Sequence, residues 1–328
     1  MQTDINTKNK QFHTNYDYSA LEKPVTIAQL IAQAKIDLAI HSSYLFAGLV
    51  ILVFIVFFVF VIAMLYMLAF SSNLANSMPA LLFWGFIFLF FAMLFVSYRK
   101  KLITTITLQQ FAQDNNVTLI HDQFDPQYNG MIFNSGHSRV INHALVFNDI
   151  YNSQIGNYSF TTGSGKSSKQ HIYHFAVFDL PRHTPHMLLD AKNNNFLGMF
   201  SNLPASFSSN QKLSLEGDFN DYFTLYAPKQ YEKDALYIFT PDVMQAVTTY
   251  ANNFDIEIID NKLYLYTQTD LNLTSKTTLE SLQSVIQVLA KQFYQQTDYY
   301  ADSTIGNRTL DIIAPAGKRL AASRISKI

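Results

Sequence analysis

Two long apolar runs dominate the pattern along the chain. Tyr44 to Phe70 reads YLFAGLVILVFIVFFVFVIAMLYMLAF and Ala80 to Tyr98 reads ALLFWGFIFLFFAMLFVSY, neither with a charge. A hydrocarbon layer about 30 Å thick is crossed by roughly 20 apolar residues in a helix. The runs therefore predict a transmembrane hairpin of two helices, 44–70 and 80–98, helical because a backbone in lipid must satisfy its own hydrogen bonds. Ser71 to Pro79 is a short polar connection, and Pro79 suits the first turn of the second helix. Arg99, Lys100 and Lys101 follow the second run, Lys23 and Lys35 precede the first, and the connection has no basic residue. That bias predicts a multi-pass protein of the cell membrane with both termini in the cytoplasm. Neither run holds Asp, Glu, Lys, Arg or His, which suits an anchor better than an ion path.

The remaining pattern divides into four parts. Residues 1–43 are a polar N-terminus with an amphipathic helix; Thr26 and Gln29 fit a capping box, and Ile27, Leu30, Ile31, Ala34 and Leu38 follow at helical spacing. That helix either lies on the inner membrane surface, packs on the following domain, or runs on into the first span. Residues 99–116 read as a connecting helix with Leu102, Ile103, Ile106 and Phe111 on one face. Residues 117–307 read as a cytoplasmic α+β domain. Strands are expected at Val117–Ile120, Ser138–Phe147, Ile155–Phe160, His171–Leu180 and His186–Asp190, and helices at Asp234–Tyr250 and Thr277–Phe293. Phe254–Ile259 and Lys262–Thr267 read as a strand pair turned by Asp260-Asn261. Residues 308–328 form a basic tail carrying Lys318, Arg319, Arg324 and Lys327, either solvated or returning to an anionic leaflet.

Composition narrows the function classes. Charged residues are only 14% and hydrophobic ones 49%, in keeping with a membrane segment. Lys+Arg is 23 against Asp+Glu 24, so the basic excess of a general nucleic-acid binder is missing. The chain has no cysteine, which excludes disulfides, thiolate metal sites and cysteine nucleophiles.

Candidate chemistry is sparse. Gly163-Ser164-Gly165-Lys166-Ser167 is similar to the end of a phosphate-binding loop, but Phe160 stands where that loop requires its first glycine. A strand, not a helix, follows, so the segment reads as a hairpin tip. His171 and His174 would share a metal on a helix and point to opposite faces on a strand. His183 and His186 flank Thr184-Pro185 with Asp179 and Asp190 nearby, a weak metal set or a polar turn. His137, Ser138 and Asp149 are the residue types of a hydrolase triad without a nucleophile elbow. The i,i+3 carboxylate pairs Asp122/Asp125 and Asp218/Asp221 are explained more simply by turns and caps. No catalytic, cofactor-binding or metal residue is assigned.

Residues 216–267, with Phe219, Phe223, Tyr226, Ala235, the Thr240-Pro241 helix start and Leu263-Tyr264-Leu265, resemble a domain of uncharacterised bacterial membrane proteins. In that family two N-terminal spans precede a cytoplasmic domain of unknown function, so the resemblance implies architecture and no activity. The expected function is a membrane-anchored binding or scaffold module. The alternative is an accessory or sensor subunit of a membrane complex, and a membrane-bound enzyme comes third. The lipid bilayer and an unidentified protein are the expected partners, with no nucleic acid and no cofactor.

Overall fold

The structure, a computed structural model, describes residues 16–40, 55–63, 66, 74–195, 201–302, 304 and 306–313. The chain divides into two compact units, Lys23–Gln110 and the pair of segments Met1–Glu22 and Phe111–Ile328.

In the first unit, helix α1 (Ile27–Ile40) starts at the expected capping box. The Thr26 amide donates to Gln29 Oε1 at 2.9 Å, and the Gln29 amide donates to Thr26 Oγ1 at 3.4 Å. Residues 55–63 are helical, and a single helix, α2 (Leu74–Asp114), runs for 41 residues. Phe88 of α2 meets Phe57 at 6.0 Å and Phe60 at 5.8 Å between ring centroids.

These residues overturn the transmembrane hairpin. Among the described residues no helix is long and apolar enough to cross a membrane. The multi-pass architecture, the cell-membrane location and the inward-facing termini fall with it. The first expected span, 44–70, lies outside the described residues except for 55–63 and Tyr66. The second, 80–98, is no separate element. It is a stretch of a longer helix that begins at Leu74, inside the expected connection, and continues through Arg99, Lys100 and Lys101 to Asp114. A count of consecutive apolar residues cannot see where a helix begins and ends, and here the helix ignores both edges of the run. The later part of the same helix serves packing: Leu102, Ile106, Leu108 and Phe111 are buried.

In the second unit an antiparallel sheet carries the fold. The strands of the unit are β1 (Thr118–Phe124), β2 (His137–Val146), β3 (Gln154–Thr162), β4 (Lys169–Ala191), β5 (Ser206–Phe207), β6 (Lys212–Leu213), β7 (Phe223–Tyr226), β8 (Asp255–Thr267) and β9 (Ile312–Ile313). The order is β1-β2-β3-β4-β7-β6, β8 pairs with β4 as well, and β5 pairs with β9 apart from the main sheet. Helices α3 (Phe219–Tyr222), α4 (Glu232–Ile238), α5 (Pro241–Tyr250) and α6 (Lys276–Thr297) complete the unit.

Strands β4 and β8 depart from expectation in the same way. The Pro181–Pro185 stretch reads as a turn between two strands, yet β4 runs unbroken for 23 residues. The Asp260-Asn261 turn is likewise absent, and β8 is one strand of 13 residues. Both strands bend where Thr184 faces Asp260, with the pairing register shifting on either side. Asp260 takes a left-handed backbone, φ 54°, and its carbonyl accepts the Thr184 hydroxyl at 3.0 Å. A bulge accepts proline because an unpaired position needs no amide donor. Turn-forming residues thus bend two long strands together.

Each face of the sheet has its own cover. On one face Tyr158, Phe160, Tyr173, Phe175, Tyr264 and Tyr266 form an aromatic core with Phe133, which meets Phe175 edge-on at 5.2 Å. Short segments cover it, from which Met131, Ile132, Leu203, Ala205 and Leu310 are buried. Helix α6 lies on β4. Its buried stripe of Leu279, Leu282, Ile286, Leu289 and Phe293 matches the expected amphipathic face, each side chain contributing about 1.5–3 kcal/mol on burial. Ser275 caps the helix, accepting from the Thr278 amide.

Candidate functional site

The aromatic face ends in a buried polar stripe where β4 meets β8. Leu188 pairs with Glu257 and Leu189 with Ile256, so Asp190 stands one step further along the ladder, toward Asp255. Alternation places His186, Leu188 and Asp190 on one face of β4 and Asp255 and Glu257 on the matching face of β8. Glu257 and Asp255 are 0% exposed and Asp190 only 7%. Buried carboxyl groups are expensive unless hydrogen-bonded, and each of these has partners.

Glu257 joins three separated parts of the chain. Its Oε2 accepts from the Met131 amide at 2.8 Å and from the Tyr266 hydroxyl at 2.8 Å, and its Oε1 meets His186 Nε2 at 2.6 Å. His186 Nδ1 accepts from the Leu310 amide at 3.4 Å, which places the ring proton on Nε2. The His186 amide in turn donates to the Arg308 carbonyl at 2.8 Å. The segment before β2, the sheet and the segment before β9 therefore meet at one carboxyl group.

Asp255 and Asp190 serve the other end of the stripe. Asp255 accepts from the Ala191 amide at 2.9 Å and from Asn194 Nδ2 at 3.0 Å, and Asp190 accepts from the Ser201 hydroxyl at 3.1 Å. Burial pushes the Asp190 carboxyl up and pushes Asp255 well above the ordinary carboxylate range, the neighbouring Asp190 charge adding to the second effect. All of this stripe is enclosed, which fits internal fastening better than turnover of a ligand.

An open concave site lies elsewhere in the same unit. Gln230, Lys233, Asp234, Tyr237, Tyr299, Tyr300, Ala301 and Thr304 line a cleft of about 350 Å3 between α4 and the segment after α6. Tyr300 donates to Asp234 Oδ1 at 2.7 Å, and the Tyr237 and Tyr300 rings lie 6.1 Å apart. Burial and then the Asp234 carboxylate hold the Tyr300 phenol well above its usual range, so it stays a donor. Tyr237 is 45% exposed and Tyr299 85% exposed.

The residues singled out in the sequence fall as follows. Gly163 to Ser167 form the tip of the β3–β4 hairpin, with Gly163 and Gly165 both left-handed. His171 stacks on Phe160 at 4.9 Å, while the adjacent-but-two His174 lies on the opposite face, accepting from the Leu271 amide at 3.1 Å. Asp179, His186 and Asp190 have separate partners: Lys262 for the first, Glu257 and Ser201 for the others. Among the described residues no group of three or more His, Cys, Asp or Glu side chains is placed to hold a metal. His137 reaches Ser138 Oγ at 3.0 Å, but Asp149 is occupied by the Tyr151 and Ser153 amides, each at 3.0 Å, and builds a turn. Asp122, within β1, and Asp125, just after it, both take a left-handed backbone, and Asp125 pairs with Arg139 at 3.1 Å.

Sequence reasoning missed Asp255, Glu257 and the tyrosine cleft. Asp255-Ile256-Glu257-Ile258 alternates, and alternation ordinarily marks the polar positions as the solvent side. Here both sides are covered, so the pattern carries no signal for burial.

No protein-family model matches the chain, and no match is found among the curated proteins. One solved structure, the mycobacterial trehalose monomycolate transport factor A, TtfA, is similar at 8% identity and a TM-score of 0.33, over 54% of this chain and 91% of that one. A likeness of that size carries no argument about fold or function, and the resemblance of residues 216–267 has no matching family model behind it.

Proposed function

We propose that the chain is a binding module whose site is the tyrosine-lined cleft beside α4, and that its ligand is a short segment of a partner protein. The observation that carries this reading is the pairing of a concave surface of about 350 Å3 with two solvent-facing tyrosines, Tyr237 and Tyr299. Tyrosine presents a large rigid surface at low entropic cost and supplies a disproportionate share of interface energy. Leu236, 50% exposed, extends the apolar area along α4, and Lys233 and Gln230 provide polar contacts at its margin. The enclosed carboxyl groups Asp190, Asp255 and Glu257 lie elsewhere, and within the cleft Asp234 is engaged by the Tyr300 hydroxyl, which supports binding over catalysis.

The test is affinity capture with the purified full chain beside the Y237A/Y299A double variant. Truncating an interface tyrosine costs about 2 kcal/mol, or roughly thirtyfold in affinity. The expected result is a protein retained by the native chain and lost by the variant, whose circular dichroism stays native. Equal retention by both would refute the assignment of the site.

A further inference from the structure

Asp190 and Asp255 are two enclosed carboxyl groups at facing positions of neighbouring strands, and among the described residues neither makes an ion pair. We propose that these two side chains act as a proton-dependent fastener of this end of the sheet: with a proton on the pair the end is held tight, and full ionisation loosens it.

The geometry sets the reason. Asp255 takes the backbone amide of Ala191 and the side chain of Asn194, and Asp190 takes the hydroxyl of Ser201. The pair therefore joins the end of β4 to the start of β8 and to described residues on both sides, 191–195 and 201–203. Leu203 is itself buried in the aromatic core, so the fastening reaches that core.

Among the described residues nothing that faces the pair supplies a positive charge. Just after β4, the Lys192 ammonium is turned to the Asn220 carbonyl. On β8, the next inward group is Glu257, bound to His186. From β7 comes the Tyr226 phenol, raised by burial and then by Asp190, and from the start of β4 the Tyr173 phenol, raised by burial against an opposing Gln268 hydrogen bond and, more weakly, by Asp255. The segments on top offer amides and a hydroxyl, Asn194, Asn195, Ser201 and Asn202. Among the described residues the buried carbonyl oxygens of Asn194 and Asn202 have no hydrogen-bond donor. Two like charges enclosed together favour keeping one proton. Both carboxyl groups are pushed upward in the folded chain, so it binds more protons than the unfolded chain above the ordinary aspartate range. Stability must then fall as pH rises through the raised values.

The experiment is a pair of measurements on the full chain. Carbon-13 NMR of the aspartate carboxyl groups reads the native protein directly. It should show aspartate carboxyl titration displaced above the ordinary aspartate range. Thermal melts from about pH 5 to pH 8 of native, Asp190→Asn, Asp255→Asn and the double variant read the consequence. From pH 5 to pH 8 the melting temperature of the native chain should fall relative to that of the double variant by about 3 °C or more. Each single variant should fall between the two. The proposal is overturned if every aspartate titrates in the ordinary range, or if the gap does not change with pH. It is equally overturned if calcium chloride stabilises the native chain at neutral pH and that effect is lost in Asp255→Asn, since the pair would then take a metal ion in place of a proton. Should the variants fail to fold, the NMR titration of the native chain decides alone.

Discussion

Replacing Glu257 by Gln tests whether one buried carboxyl group holds three segments together. Glu257 accepts from three donors, the Met131 amide, the Tyr266 hydroxyl and His186 Nε2. A glutamine has one acceptor oxygen and turns the other position into a donor. If its oxygen faces His186, its NH2 faces the Met131 amide, and that buried amide loses its partner; the Tyr266 hydroxyl can rotate and accept. If its oxygen faces Met131, its NH2 faces His186 Nε2, whose proton could move only to Nδ1, where the Leu310 amide already donates. Either way one buried donor is stranded, at about 2–3 kcal/mol. For a domain of this size that lowers Tm by about 5–10 °C. Tyr266→Phe removes one of the three donors and strands nothing, so its cost should be near 1 kcal/mol. Urea unfolding followed by circular dichroism measures both. The reasoning fails if Glu257→Gln lies within about 0.5 kcal/mol of native, or if Tyr266→Phe proves the costlier change.

Burial lowers the pKa of His174 from 6.5, against an opposing pull from Asp270. The folded chain then binds fewer protons than the unfolded one just below 6.5, so stability is full above that value and is lost as pH falls through the window beneath it. Denaturation midpoints at about pH 5 and pH 7 should therefore differ less in His174→Gln than in the native chain. Gly156 sits at the centre of the sheet, where an added Cβ would lie 2.7 Å from Ala144 Cβ and 2.8 Å from the His143 carbonyl, so Gly156→Ala should cost about 1–3 kcal/mol in urea unfolding. Gly85, within α2, has open space around it, and Gly85→Ala should instead stabilise its helix by about 0.5–1 kcal/mol, read in the same way.

Local patterns were legible where one interaction sets the outcome. The Thr26–Gln29 capping box, the α6 stripe from Leu279 to Phe293 and the glycine-rich tip at 163–165 follow from neighbours a few residues apart. The bent strands were not legible, because Pro181, Pro185 and Asp260 are turn residues by every local rule. Only the partner strand, through the Thr184–Asp260 contact, makes them bulges. The apolar run from Ala80 to Tyr98 misled for a related reason. Its composition suggested a unit with ends of its own, whereas the helix extends from Leu74 to Asp114. The cleft was beyond reach of sequence, since Tyr237 and Tyr299 are brought together by the packing of α4 near the end of α6. Asp255 and Glu257 were hidden because their alternation with isoleucine looks the same whether the acid side faces water or a covering segment.

A photo-crosslinking residue placed at Tyr299 of the full chain, with Ile172 as an exposed apolar control outside the cleft, tests the binding assignment most directly. The expected result is a discrete adduct with one partner protein from position 299, reduced by Tyr237→Ala and missing from position 172. The same adducts from both positions, or none from 299, would contradict it.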